Sequence, residues 1–146
     1  MKKPAGLDEA LALAVRAHAG QQDKVGRPYI LHPLRVMLRL ETERAMPVAA
    51  LHDVVEDSDV TLADLRAMGF AKAIIEAVDC LTKRPGESYA ARIERAAANP
   101  LARQVKIADL EDNMQLRRQH GLVKHDRARM ARYAKAYRRL TGRDAP

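Results

Sequence analysis

Apolar positions recur at three- and four-residue spacing along nearly the whole chain, which predicts amphipathic helices rather than strands. Between Leu7 and Ala19, the residues Leu11, Ala14, Val15 and His18 share one stripe, and Gly20 follows as a C-cap. A polar loop, Gln21 to Pro28, leads to a second helix from about Tyr29 or His32 to Leu40, with Pro33 in its first turn. Pro47 opens a third helix, Val48 to about Glu56. Thr61 with Asp64 resembles a capping box before a short helix that ends near Gly69. Ala71 to Leu81 is the next helix, followed by a turn at Arg84-Pro85-Gly86-Glu87. Ser88 caps a helix that stops before Asn99-Pro100. Leu101 to about Leu116 forms another, and Asp126 to Leu140 a last, very basic one. There is no regular alternation, internal repeat, linker or low-complexity tract. The pattern predicts an all-α fold of about seven to eight helices, with residues 1–146 as a single domain.

Composition narrows this. The chain has 146 residues, 47% hydrophobic and 31% charged, as expected of one folded domain. No apolar run reaches the roughly 18 residues of a membrane span, so no membrane partner is expected. The N-terminus meets Asp8-Glu9 too soon for a signal peptide. The single Cys80 excludes an internal disulfide framework and a cysteine-rich zinc site, and a reducing, cytoplasmic setting is the simplest expectation. The formal net charge of +7 favours anionic ligands. Aromatics make up only 3% of the chain, a poor supply of stacking platforms, so nucleic acid is not the expected partner.

The chemistry concentrates in Leu51-His52-Asp53-Val54-Val55-Glu56-Asp57-Ser58-Asp59, with four carboxylates in seven residues beside an imidazole. On a continuous helix, His52 and Glu56, Asp53 and Asp57, and Asp53 and Glu56 are neighbours. Like charges stacked at a helix C-terminus are unfavourable, and a bound cation relieves that cost. A solvated acidic helix end is the competing reading. His32 lies between an apolar run and a helix start, where a core or capping role is the usual one. Asp109 follows Val105-Lys106-Ile107-Ala108, and a buried aspartate needs a donor or a metal. His32, His52, Asp53 and Asp109 together make an N2O2 set that suits Mn, Fe, Co or Zn better than Ca.

The ordered motifs Gly20-Gln21, Pro28-Tyr29-Ile30-Leu31-His32-Pro33, Leu51-His52-Asp53-Val54-Val55-Glu56-Asp57 and Lys106-Ile107-Ala108-Asp109 through Asn113 resemble the HD-domain metal-dependent phosphohydrolases. More closely, they resemble the hydrolase domain of the RelA/SpoT alarmone enzymes and the small stand-alone alarmone hydrolases. The resemblance runs from about Ala10 to Asn113, within a motif-bearing core of about 7–116 that precedes the basic helix at about 126–140. It implies an all-helical HD bundle binding one divalent ion, most commonly Mn2+, that removes the 3′-pyrophosphate from ppGpp or pppGpp. It implies His32, His52, Asp53 and Asp109 as ligands, and Glu56 and Asp57 as the pair that handles the attacking water.

The chain departs from the family's pattern at three positions. Asp23-Lys24 stands where the family carries Arg-Lys, Leu110 where it carries Lys, and Asp112 where it carries an aromatic or His; Asn113 is retained. These departures bear on how guanine is gripped. Lys24, Lys83, Arg84, Tyr89 and Asn113 are the candidate substrate-binding residues, against the plain alternative of a turn capped by Ser88. His18 is expected to pack in the core or to bond the following loop. The basic C-terminal face, with Arg127, Arg129, Arg132, Lys135, Arg138 and Arg139, is expected to be solvated. No counterpart of a synthetase domain is present, so pyrophosphokinase activity is not expected. The resulting expectation is a metal-dependent phosphohydrolase acting on a nucleotide polyphosphate, resembling a guanosine 3′,5′-bis(diphosphate) 3′-pyrophosphohydrolase. Its rivals are a phosphatase of another phosphorylated nucleotide and a non-catalytic nucleotide- or RNA-binding module.

Overall fold

The computed structural model describes residues 3–146. Its elements are nine α-helices: α1 Leu7–Ala17, α2 Leu31–Leu38, α3 Met46–Leu51, α4 Val54–Asp57, α5 Leu62–Ala67, α6 Lys72–Leu81, α7 Tyr89–Ala98, α8 Pro100–Gln119 and α9 Arg127–Thr141. A 3-10 turn, Glu43–Ala45, leads into α3. Among the described residues there is no strand, only two isolated bridges.

Local chemistry accounts for the helix ends. Thr61 and Asp64 form the reciprocal capping box, with Asp64 N donating to Thr61 Oγ1 at 3.1 Å and Thr61 N to Asp64 Oδ2 at 2.9 Å. Ser88 Oγ caps α7 through Ala91 N at 3.1 Å, and Asn99 Oδ1 caps α8 through Ala102 N at 3.0 Å. Gly142 ends α9 at φ +72°, a conformation that favours glycine.

The acidic stretch departs from the expected single helix. Ala49 O accepts both the His52 backbone N–H at 3.4 Å and the His52 ring Nδ1 at 2.6 Å, which closes α3 early. Asp53 sits at φ −108°, ψ −2°, and α4 restarts with Asp57 N donating to Asp53 O at 2.9 Å. His52 and Glu56 therefore belong to two different helices. A six-residue helix such as α3 is marginal alone, so burial must hold it. Pro47, Val48, Ala49, Ala50 and Leu51 are all buried, and a buried Val or Leu contributes about 1.5–3 kcal/mol.

Two apolar clusters share α8 as their partition. The larger unites Leu13, Val36, Val48, Leu51, Leu65 and Val78 with Val105 and Ala102 of α8. The smaller joins Ile93 of α7 and Ala136, Tyr137 and Leu140 of α9 to Leu110 and Met114 of α8. This sandwiching fixes the rotation of α8, and with it the direction of Lys106, Asp109, Asp112 and Asn113.

Candidate metal centre and substrate cleft

His32 stands in the first turn of α2, 5% exposed, and faces α8 with both ring nitrogens. Its Nε2 lies 2.8 Å from Asp109 Oδ1, and its Nδ1 lies 2.7 Å from Asp112 Oδ2. Asp109 is fixed from two further sides: Lys106 Nζ donates to Oδ2 at 2.8 Å and Asn113 Nδ2 to Oδ1 at 3.0 Å.

His52 reaches the same point from the end of α3. Its Nδ1 donates to the Ala49 carbonyl, which leaves Nε2 as the atom turned toward Asp53 and Asp109, buried and without a hydrogen-bond partner. That nitrogen lies 3.0 Å from Asp53 Oδ2 and 3.5 Å from Asp109 Oδ1. Asp53 Oδ2 is 3.8 Å from His32 Nε2 and accepts from the Tyr29 hydroxyl at 2.5 Å. One ligand atom each from His32, His52 and Asp109 lies within 4.8 Å of the others. Ligands at roughly 2.0–2.2 Å from one ion are separated by distances of this order. The orphaned Nε2 and the imidazole–carboxylate donor set fit a divalent transition metal.

The electrostatics agree. Burial would raise the Asp109 pKa, yet the Lys106 cation and the two histidines hold it well below the usual carboxylate range. Burial likewise opposes ionisation of Asp53, and His52 outweighs it. Burial would lower the His32 pKa, and the hydrogen bonds to Asp109 and Asp112 outweigh that and hold it at about 8. Burial, together with Asp53, pushes the Tyr29 hydroxyl far up, so it remains a donor. The carboxylates thus draw positive charge into a buried site, which a metal ion also supplies.

Above this focus opens a cleft of about 420 Å3. Glu56 and Asp57 line it, as do Lys24, Tyr89 and Asn113. Glu56 Oε1 accepts from the Lys83 backbone N–H at 2.8 Å and pairs with Arg92 Nη2 at 3.3 Å. Burial, then Asp53 and Glu56, raises the Asp57 pKa and makes it a better proton acceptor. Lys83 and Arg84 do not line the cleft, contrary to the expectation that their side chains hold phosphate. Lys83 contributes its backbone N–H, and the Arg84 guanidinium turns to Asp79 at 3.3 Å.

The structure also relocates the departures. Asp23 lines the cleft, with its Oδ1 accepting from Val25 N at 2.9 Å and Arg27 N at 3.0 Å. Leu110 is buried in the smaller core cluster and Asp112 lies behind His32, so neither can touch a ligand in the cleft. Sequence reading missed Arg92, Arg129 and Tyr133, which line the cleft. Arg129 and Tyr133 are four residues apart on one face of α9, a spacing that was available as a signal. The remaining basic residues of that helix, Arg127, Arg132, Lys135, Arg138 and Arg139, are exposed as expected. His18 is buried, and its Nδ1 bonds Gln21 Oε1 of the following loop at 2.8 Å.

No protein-family model matches the chain. Among curated proteins, it is 37% identical over 111 residues to a guanosine-3′,5′-bis(diphosphate) 3′-pyrophosphohydrolase of Vibrio cholerae, covering 73% of this chain and 15% of that protein. It is 30% identical over 120 residues to the enzyme of the same name from Aquifex aeolicus, covering 74% of this chain and 17% of that one. It is 36% identical over 125 residues to a GTP pyrophosphokinase of Streptomyces coelicolor, covering 77% of this chain and 15% of that protein. The chain thus spans about 15% of the length of the curated relatives it matches. A solved structure described as a metazoan ortholog of SpoT that hydrolyzes ppGpp superposes with a TM-score of 0.76 at 27% identity, covering 99% of this chain and 90% of that one. In sequence and in fold, the chain is a homologue of the SpoT-type ppGpp 3′-pyrophosphohydrolases, built as a helical HD-domain bundle.

Proposed function

We propose that the chain is a metal-dependent phosphohydrolase that removes the 3′-pyrophosphate of ppGpp, or of a closely similar nucleotide polyphosphate, as one HD-type unit. The observation that carries this reading is the convergence of His32, His52 and Asp109, with Asp53 Oδ2 beside both histidines, in a cleft lined by Lys24, Arg92 and Arg129 as well as by Glu56 and Asp57. These four side chains hold the ion, and Mn2+ matches their mixed nitrogen and oxygen donors. When bound, such an ion supplies Lewis acidity, making an adjacent water acidic and drawing charge from a phosphoryl oxygen.

The chain's own residues do the rest. Glu56, held by Lys83 N–H and Arg92, orients the attacking water, and the Asp57 carboxylate accepts its proton. Lys24 and Arg129 place positive charge at the cleft wall for the substrate's phosphates, while Tyr89 and Tyr133, each with an arginine guanidinium over its ring, line the same cleft for its base. Asn113 steadies Asp109. Water attacks the phosphorus attached at the 3′ position, the bond from that phosphorus to the ribose 3′-oxygen breaks, the 3′-oxygen takes a proton, and ppGpp yields GDP and pyrophosphate.

The test is incubation of the Mn2+-loaded protein with ppGpp while GDP and pyrophosphate are measured. Stoichiometric release that disappears on chelation supports the reading, and no turnover of any nucleotide in a panel would falsify it. Asp23 favours a second substrate class, because a carboxylate lining the cleft disfavours a densely anionic ligand. Preferential turnover of a less charged nucleotide in the same panel would establish that alternative.

A further inference from the structure

We propose that Asp112 is a positioning residue for the metal centre: it takes the single proton of neutral His32 on Nδ1 and so turns the Nε2 lone pair toward the ion. The inference rests on the metal-site reading above and concerns how that site is held.

Helix α8 presents two carboxylates to one imidazole, Asp109 at 2.8 Å from Nε2 and Asp112 at 2.7 Å from Nδ1. An imidazole that ligates an ion is neutral, because its ligating nitrogen has given up its proton, and the one remaining N–H can donate to only one of them. The opposite nitrogen then faces a carboxylate lone pair to lone pair, which is tolerable only where a cation lies between them. The two sides of the ring differ in what else is present. On the Asp109 side, the unpartnered His52 Nε2 and Asp53 Oδ2 converge on the same space. On the Asp112 side, the carboxylate is already closed by guanidinium groups. Arg35 Nε donates to Oδ1 at 2.8 Å and Nη2 to Oδ2 at 3.0 Å, with Arg39 Nη2 at 3.6 Å from Oδ1. Only the Asp109 side can take an ion, so the proton belongs on Nδ1.

Asp112 is 2% exposed, and burying a carboxylate is costly unless it is paired. Arg35 supplies the pairing, and its forked geometry holds both oxygens in register with the ring. The two histidines are therefore supported unequally. His52 donates Nδ1 to a neutral carbonyl, and His32 to a carboxylate. A carboxylate partner raises imidazole basicity and fixes the ring, making His32 the stronger donor to the ion. This gives a role to a position where the sequence departs from the alarmone-hydrolase pattern, and it is a role in metal retention rather than base recognition.

Two measurements test it. Calorimetric titration of the metal-free protein with Mn2+ compares wild type with Asp112→Asn, whose carbonyl still accepts from Nδ1–H while the charge is lost. Affinity should fall about 10–100-fold, with the melting temperature of the metal-free form as a control for folding. Long-range 1H–15N correlation spectra of the Zn2+-loaded wild type should show His32 protonated on Nδ1. An affinity within about twofold of wild type, or a proton on Nε2 in the loaded protein, overturns the proposal. Should Asp112→Asn not fold, the wild-type spectrum alone decides. Wild type that binds neither Mn2+ nor Zn2+ sinks the metal-site reading and this proposal together, whereas normal metal binding in both proteins sinks only the role of Asp112.

Discussion

The Tyr29 hydroxyl donates to Asp53 Oδ2 at 2.5 Å, joining the loop before α2 to the break between α3 and α4. The tyrosine ring also lies 5.0 Å from His18 and 5.7 Å from His32, centroid to centroid, so its position is fixed on both sides. Asp53 is thereby oriented by a partner 24 residues earlier in the chain. Tyr29→Phe keeps the ring and removes the donor. It should leave the fold intact and weaken Mn2+ binding or turnover on the order of 10-fold. Calorimetry and steady-state kinetics on the same preparation read both effects. Unchanged values in both would show that Asp53 needs no such support.

Asp53, the N-cap of α4, and Glu56, three residues on within that helix, should separate in function. Asp53→Ala removes an oxygen that lies 3.0 Å from His52 Nε2, so both metal and hydrolysis should be lost. Glu56→Gln keeps an oxygen for Lys83 N–H and Arg92 while removing the charge. It should retain metal and lose rate on the order of 100-fold. Metal content per chain alongside kcat distinguishes them, and equal metal loss in both variants would make Glu56 a ligand.

The sequence was legible where local chemistry decides structure. Thr61, Ser88 and Asn99 cap the helices that follow them because a side-chain oxygen meets a backbone N–H three residues on. That His32, His52 and Asp109 would come together was legible through motif order. What stayed hidden depends on partners distant in the chain. Val54-Val55 continues the apolar pattern of α3, so nothing local marks the break set by His52 on Ala49 O. The place of Asp112 depends on α2 lying against α8, and only that packing shows it facing His32 rather than the cleft. Arg129 reads as surface because α9 is basic on several faces. Ala136, Tyr137 and Leu140 docking on α7 and α8 decide which side looks inward.

Stability should carry a pH signature from the turn before α7. Glu87 accepts from Arg95 Nε at 2.5 Å and Nη2 at 2.7 Å, and the same guanidinium reaches the carbonyls of Asp79 and Thr82. The Arg95 hydrogen bonds hold the Glu87 pKa at about 2, down from an ordinary 4.5. A carboxyl depressed on folding stabilises above its unfolded pKa and loses that contribution as pH falls through the folded one. The gap in melting temperature between wild type and Glu87→Gln should therefore be constant near neutrality. It should shrink below pH 4.5 and close near pH 2. A gap independent of pH would assign the effect to hydrogen-bond geometry instead of charge.

Asp23 provides the test of substrate preference. Its Oδ1 already organises the loop by accepting from Val25 N and Arg27 N, and its side chain lines the cleft. Two effects are thus combined in one residue, loop closure and a negative charge facing an anionic ligand. Asp23→Asn separates them, because the amide oxygen keeps the loop bonds while the charge goes. The expected result is a lower KM for ppGpp with kcat little changed, since the substrate is attracted more strongly and the reacting groups are untouched. Asp23 is half-buried and lines an open cleft, so salt screens its charge only in part, and the KM difference should narrow modestly as ionic strength rises from low to physiological values. Asp23→Arg supplies the cation that the alarmone hydrolases carry but forfeits the loop acceptor, so its lower KM should be accompanied by a loss of thermal stability. Kinetics on ppGpp and on less charged nucleotides, at two salt concentrations, give all of these readings. If Asp23→Asn changes KM for none of them, the carboxylate does not approach the substrate, and its place in the chain is explained by the loop alone.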